Sequence, residues 1–246
     1  MRHPAAIGGR AMSFLHELAT WDAALYRALN AYCGWSPFLD RAVVHLEVLK
    51  GSIYMGLFGL LWFQPGKDQV RRREMLLAIV LAVAIALVVN RILSTALPFR
   101  TRPMYDLGAN APTFEWHADL ENWSSFPSDN ATYLFAIAAG LWRVAPRWGL
   151  FFGLFSTCAA FARVFLGIHY PSDVVVGALI GIAVGLLVVR KPLVEAFAPR
   201  VLAWEAWQPG YFYGALFLVT AELGSGFPNT RRIGVAIVHL FVGFKT

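Results

Sequence analysis

The sequence predicts an all-α protein: a polytopic membrane bundle of about six transmembrane helices, forming one domain over residues 1–246. Three observations predict it. First, 58% of the residues are hydrophobic and 15% are charged, where a soluble domain carries about 25% charged residues. Second, the mean hydropathy of +0.55 is concentrated in runs that approach the roughly 20 apolar residues needed to cross a bilayer. Third, the basic residues, which give a net charge of +6, cluster in alternate loops. The same figures exclude other classes. Disorder requires low hydrophobicity. The pI near 9.6 does not point to nucleic acid, because 21 Lys and Arg residues spread through apolar runs make no phosphate-tracking face. A disulfide scaffold is excluded, because the two cysteines are Cys33 and Cys158, and Cys158 sits inside an apolar run.

Taken in order, the chain opens on MRHPAAIGGRAM, which lacks the apolar core of a signal peptide; Met12 is an alternative start. Residues 1–35 form an amphipathic N-terminal segment. Phe14, Leu15, Leu18, Trp21, Leu25 and Leu29 recur at helical spacing, and His16, Glu17, Asp22 and Arg27 form the polar face. Such a helix lies on the membrane surface or packs against the bundle. Residues 42–64 are apolar apart from His45, Glu47 and Lys50, and residues 75–97 hold one charge, Arg91. The run 131–145 is shorter and is preceded by the polar Ser128, Asp129 and Asn130. Residues 148–168 hold only Arg163, and 174–189 hold no charge. Residues 211–224 and 233–244 are weaker spans. Gly177, Gly181 and Gly185 predict close packing between helices of the bundle.

Lys and Arg in short loops set orientation. Lys67 with Arg71, Arg72 and Arg73, then Arg143 with Arg147, then Arg190, Lys191 and Arg200 mark three cytoplasmic loops. Residues 98–127 are then outside. Arg100, Arg102 and Arg163 stand at the outer end, against the charge trend, and ionisable groups at such depth are costly and functional by default.

Three segments converge there: Arg100 to Pro103, Pro127 to Asn130, and Arg163 through His169 to Asp173. Arg102 and Arg163 present planar forks suited to phosphate oxygens. Arg100 has the same chemistry but can equally snorkel to lipid headgroups. Ser128 caps a helix whose first free N–H groups form an anion site; a plain cap is the simpler reading of Ser128 taken alone. His169 and Asp173 are four apart with Pro171 between them, which predicts a turn leading into a helix. The carboxylate can there reach one imidazole nitrogen and fix the tautomer. Tyr105, Phe114, Trp116 and Trp123 of the outer loop read as an interfacial aromatic belt.

These residues resemble the type 2 phosphatidic acid phosphatase (PAP2) superfamily of membrane lipid phosphatases. Arg102-Pro103 matches the end of its first motif, Pro127-Ser128 its second, and Arg163, His169 and Asp173 its third. The resemblance covers about residues 85–190. The Pro-Ser-Asp form of the second motif looks like the bacterial undecaprenyl-diphosphate phosphatase branch. The resemblance implies that His169 is the nucleophile and that Asp173 orients it. It implies that Arg102, Arg163 and Ser128 hold the phosphate oxygens, with Asp129 and Arg100 in the same set. No metal or cofactor is expected, and the partner is a lipid phosphate within the membrane. The implied location is a bacterial inner (cytoplasmic) membrane, with the site facing outside.

Three positions depart from the family. Asn130 stands where the family has the His that protonates the leaving group. Thr95 stands at the position of the first-motif Lys, with Arg91 and Arg100 as nearby cations, and Ala162 replaces a Ser. Three readings follow. A diphosphate substrate has a weakly basic leaving group and needs little protonation. Alternatively His117, or Glu115 or Asp119, supplies the proton. In the third reading hydrolysis is lost and lipid-phosphate binding or transport remains. A phosphatase or phosphotransferase acting on other lipid phosphates through the same His169 stays open beside these.

Overall fold

The computed structural model describes residues 4–110 and 120–225, with side chains between 17 and 222. The described residues form helices and no strand. In order these are α1 (Pro4–Asn30), α2 (Pro37–Phe63), α3 (Gln69–Ala96), α4 (Pro103–Asp106), α5 (Asp129–Val144), α6 (Pro146–Phe165), α7 (Pro171–Val188), α8 (Lys191–Trp207) and α9 (Pro209–Ser225).

Four of them, α2, α3, α6 and α7, are long and apolar enough to cross a membrane. Their outer faces carry exposed Leu49 and Leu60 on α2, Val88 and Ile92 on α3, Leu154 on α6 and Leu179 on α7. Apolar surface of that extent suits hydrocarbon rather than water. The expected span at 131–145 forms α5, whose 16 residues reach about 24 Å at the helical rise. Short as it is, α5 is the hub. It packs against α3, α6 and α7 and buries Ala131, Tyr133, Leu134, Ala136 and Leu141.

The glycines of α7 explain how closely α5 and α7 approach. A Cβ at Gly177 would lie 2.4 Å from the Ser128 carbonyl oxygen, and one at Gly181 2.2 Å from that of Thr132. One at Gly185 would lie 2.7 Å from the Ala136 carbonyl oxygen. Any side chain there would push the helices apart, so the glycine pattern is a packing stripe within the bundle.

Helix α1 packs on α6 and α7. Its polar residues Asp22 and Asn30 face inward with Tyr26, while Leu18, Trp21 and Leu25 are exposed. This inverts the arrangement of a soluble amphipathic helix, because the surroundings are apolar and the partner surface is polar. One element differs from the sequence reading. The basic stretch after Arg190 continues as α8, with Pro199 inside it. The weak span at 211–224 is α9, while 233–244 lies outside the described residues.

Candidate active site

The three segments meet at one end of the bundle. Asp173 in the first turn of α7 bonds through its backbone to the residue before α5, with Ser128 N donating to the Asp173 carbonyl at 3.0 Å. From α3, Asn90 donates to the Pro127 carbonyl at 3.3 Å and to Thr132 Oγ1 at 2.8 Å. Helix α6 ends at Phe165. Gly167, with φ of +75°, then turns the chain in the left-handed region that favours glycine. That turn brings His169 back beside Arg163.

His169 is almost fully buried, at 1% exposure. Its Nδ1 lies 2.8 Å from the Ser125 carbonyl oxygen. A carbonyl only accepts, so Nδ1 carries the proton and the lone pair is on Nε2. That lone pair points between two guanidiniums: Arg102 Nη1 and Arg163 Nη2 each lie 3.3 Å from Nε2. Burial pulls the imidazole down from its ordinary value to about 4. The Asp173 hydrogen bond opposes that fall, and the charges of Arg102 and Arg163 reinforce it. At neutral pH the ring is uncharged, with Nε2 unprotonated.

Asp173 stands against the same ring nitrogen, as expected. Its Oδ2 lies 3.5 Å from His169 Nδ1, but the same oxygen accepts from Tyr170 N at 2.8 Å. The Ser125 carbonyl is thus the nearer partner of the ring, and Asp173 is a carboxylate alongside it. A backbone acceptor leaves no mark in side-chain pattern, so Ser125 escaped the sequence reading.

Arg102 is fixed by its Nη1 donating to the Ile168 carbonyl at 3.0 Å and its Nε to that of Leu120 at 3.3 Å. Ser128 is wholly buried at the N-cap of α5, its Oγ accepting from Ala131 N at 3.4 Å. Asp129 Oδ1 accepts from the Asn130 backbone at 2.8 Å and from Asn130 Nδ2 at 3.2 Å. Asn130 Oδ1 is buried and has no hydrogen-bond partner among the described residues.

Arg100 is placed elsewhere. Its guanidinium donates to Asp22 Oδ2 at 2.5 Å, to Asp173 Oδ1 at 2.6 Å and to Ser172 Oγ at 2.8 Å. It also lies 4.1 Å over the Tyr170 ring. Two carboxylates already balance its charge, so it clamps α1 to α7 rather than joining the forks at Nε2. Thr95 turns its hydroxyl back to the Arg91 and Ile92 carbonyls, both at 3.0 Å. Arg91 lies 4.1 Å over Trp123. His117, Glu115 and Asp119 lie outside the described residues.

A buried ionic group on α2 adds to the site. Glu47 and Lys50 are 8% and 7% exposed and pair with each other. Glu47 Oε1 also accepts from Arg163 Nη1 at 2.6 Å. A continuous contact runs Lys50–Glu47–Arg163–His169. The signal was legible: two charges three residues apart inside an apolar run mark a costly, purposeful placement. It lacked only the fold that carries α2 to α6. Among the described residues no cluster of three or more His, Cys, Asp or Glu side chains could hold a metal ion.

A bundle of apolar helices with a neutral imidazole set between two arginines at its end belongs to the class of integral-membrane enzymes that work on phosphorylated lipids. The chain is a member of the PAP2 superfamily, whose model matches residues 75–195 and so takes in all three segments. It is 30% identical over 165 residues to a protein of Escherichia coli (strain K12) that bears the name "Putative undecaprenyl-diphosphatase YbjG". That match covers 67% of this chain and 79% of the relative. It is 35% identical over 122 residues to the decaprenylphosphoryl-5-phosphoribose phosphatase of Mycobacterium tuberculosis (strain H37Rv), covering 48% of this chain and 61% of that protein. The crystal structure of Aquifex aeolicus LpxE superposes with a TM-score of 0.50 at 29% identity, covering 68% of this chain and 93% of that one. The protein is a multi-pass membrane phosphatase of the PAP2 type, and its substrate class is lipid phosphate.

Proposed function

We propose that the protein hydrolyses a polyprenyl diphosphate of the undecaprenyl type, at the outer face of a bacterial cytoplasmic membrane, through a phosphohistidine intermediate. The observation that carries the reading is the setting of His169, with Nδ1 tied to the Ser125 carbonyl and Nε2 directed between Arg102 and Arg163. In the first step Nε2 attacks the terminal phosphorus while the bond to the bridging oxygen breaks. The two guanidiniums stabilise charge spread over the phosphoryl oxygens. Asp173, 3.5 Å from the ring, offsets the positive charge that the imidazole gains. In the second step water attacks phosphorus, the N–P bond breaks, and phosphate leaves.

The diphosphate is favoured by Asn130, which cannot protonate a leaving group. General acid help is worth about 10²–10⁴-fold, and a polyprenyl monophosphate leaves far more readily than an alkoxide. The E. coli relative is named for an undecaprenyl diphosphate, which supports the same choice. The Mycobacterium relative is named for a phosphate on a sugar-bearing polyprenyl lipid, which favours other lipid phosphates as a second reading. The outer face follows from the basic loops, which belong to the cytoplasm.

The test is phosphate release by the purified protein from undecaprenyl diphosphate and from phosphatidic acid. Faster turnover of the diphosphate is expected, with none in His169→Ala. Release from neither lipid, with binding intact, would instead indicate a lipid-phosphate binder.

A further inference from the structure

We propose that Lys50 of α2 is the proton donor to the leaving oxygen, doing what Asn130 cannot, and that Glu47 is its positioning residue. The assignment rests on the phosphohistidine step above, not on the choice of a diphosphate, and extends that step to lipid monophosphates whose leaving group needs a proton.

Lys50 is 7% exposed on a helix long and apolar enough to span the membrane. A charge there is costly and marks a functional placement. Glu47 alone would balance Arg163, to which it bonds at 2.6 Å. Lys50 adds a further cation to a neutral pair.

Its placement suits the leaving group. Lys50 Nζ and Arg163 Nη1 bond to the same carboxylate oxygen, Glu47 Oε1, the arginine at 2.6 Å, and Arg163 Nη2 lies 3.3 Å from His169 Nε2. Both acceptors of the ammonium come from Glu47, its carboxylate and its carbonyl, the latter at 2.8 Å. An ammonium has three donors, and the third has no partner among the described residues. The Asn130 oxygen is likewise buried without one. The first-motif position, Thr95, faces its own helix and brings no cation. The positive charge that the motif lacks enters from α2.

The step balances. His169 Nε2 forms a bond to phosphorus as the P–O bond breaks, and the Lys50 ammonium passes one proton to the departing oxygen. Lys50 is then a neutral amine beside ionised Glu47. Water next attacks phosphorus, the N–P bond breaks, and the proton of the water returns to Lys50 Nζ. An ammonium is acidic enough to protonate a strongly basic alkoxide.

The test uses the purified full-length protein with two probes. Phosphatidic acid leaves as an alkoxide and needs a proton; p-nitrophenyl phosphate leaves as a stable phenolate and does not. Wild type should turn over both. Lys50→Met should lose about 10²–10⁴-fold in kcat on phosphatidic acid and less than about tenfold on the aryl phosphate. Adding Asn130→His to Lys50→Met should restore the lipid activity. If Lys50→Met fails to fold, Lys50→Arg keeps the charge without a labile proton and should show the same split. Equal losses on both probes, absence of rescue by Asn130→His, or a wild type active on the aryl phosphate alone would overturn the assignment. If wild type acts on neither probe, the phosphatase reading falls with it. If wild type is active and His169→Ala is dead, while the Lys50 variants ignore the leaving group, only the Lys50 assignment falls.

Discussion

His169 shows how the environment of one residue sets its chemistry. Its pKa of about 4 in the folded protein lies below the ordinary value near 6.5, so folding favours the neutral ring. Two consequences follow. The free enzyme should hold its kcat/KM as pH falls through 6, with an acid limb near 4; a limb at 6.5 would show that burial does not govern the ring. Stability should be unaffected by this group above 6.5 and should fall progressively between 6.5 and 4, because the unfolded state takes up the proton first. Arg102→Lys should cost about 10²–10³-fold in kcat, since one ammonium cannot hold the Ile168 carbonyl and a phosphoryl oxygen together as the fork does. At this scale His169, Asp173, Arg102, Arg163 and Ser128 were legible from side-chain chemistry and spacing. The Ser125 carbonyl was not, because every residue has one. The clamp made by Arg100 was not legible either, because its partner Asp22 lies 78 residues away and no local pattern announces it.

Among the elements, the α5–α7 contact decides whether the site assembles. Gly181 has no room for a Cβ, with the Thr132 carbonyl oxygen 2.2 Å away. Gly181→Ala should destabilise by about 1–3 kcal/mol through overpacking and lower activity as the Ser128 turn shifts away from His169. Gly214→Ala on α9, with nothing within 4 Å, is the control and should change neither. Thermal unfolding in detergent and phosphate release read out both variants. The glycine stripe was readable because small residues at helical spacing have one common use in apolar helices. Helix α8 was not, because Lys191, Arg200 and Pro199 resemble a cytoplasmic loop when counted as charges and breakers. Yet Pro tolerates a helix wherever its neighbours can absorb the lost bond.

For the whole molecule, the alternation of basic loops and apolar runs predicts an order of crossings, and four of the five main runs are helices of spanning length. The fifth, α5, has 16 residues and owes its place to burial on several sides rather than to lipid contact. What composition could not give is the depth at which charges meet. The Glu47–Arg163 pair joins residues 116 apart and exists only once α2 and α6 pack. The orientation has its own check: a cysteine introduced at Lys67 in a Cys33→Ser, Cys158→Ser background should react with an impermeant thiol reagent only from the cytoplasmic side. Reaction from outside would reverse the membrane arrangement and move the site to the inner leaflet. The covalent step remains the most direct point of attack. In an acid-free denaturing quench of enzyme mixed with phosphorus-radiolabelled undecaprenyl diphosphate, an alkali-stable, acid-labile label should be found on the peptide that carries His169, with none on His169→Ala. A wild type that releases phosphate without ever carrying that label, or a label that persists in His169→Ala, would contradict the phosphohistidine mechanism.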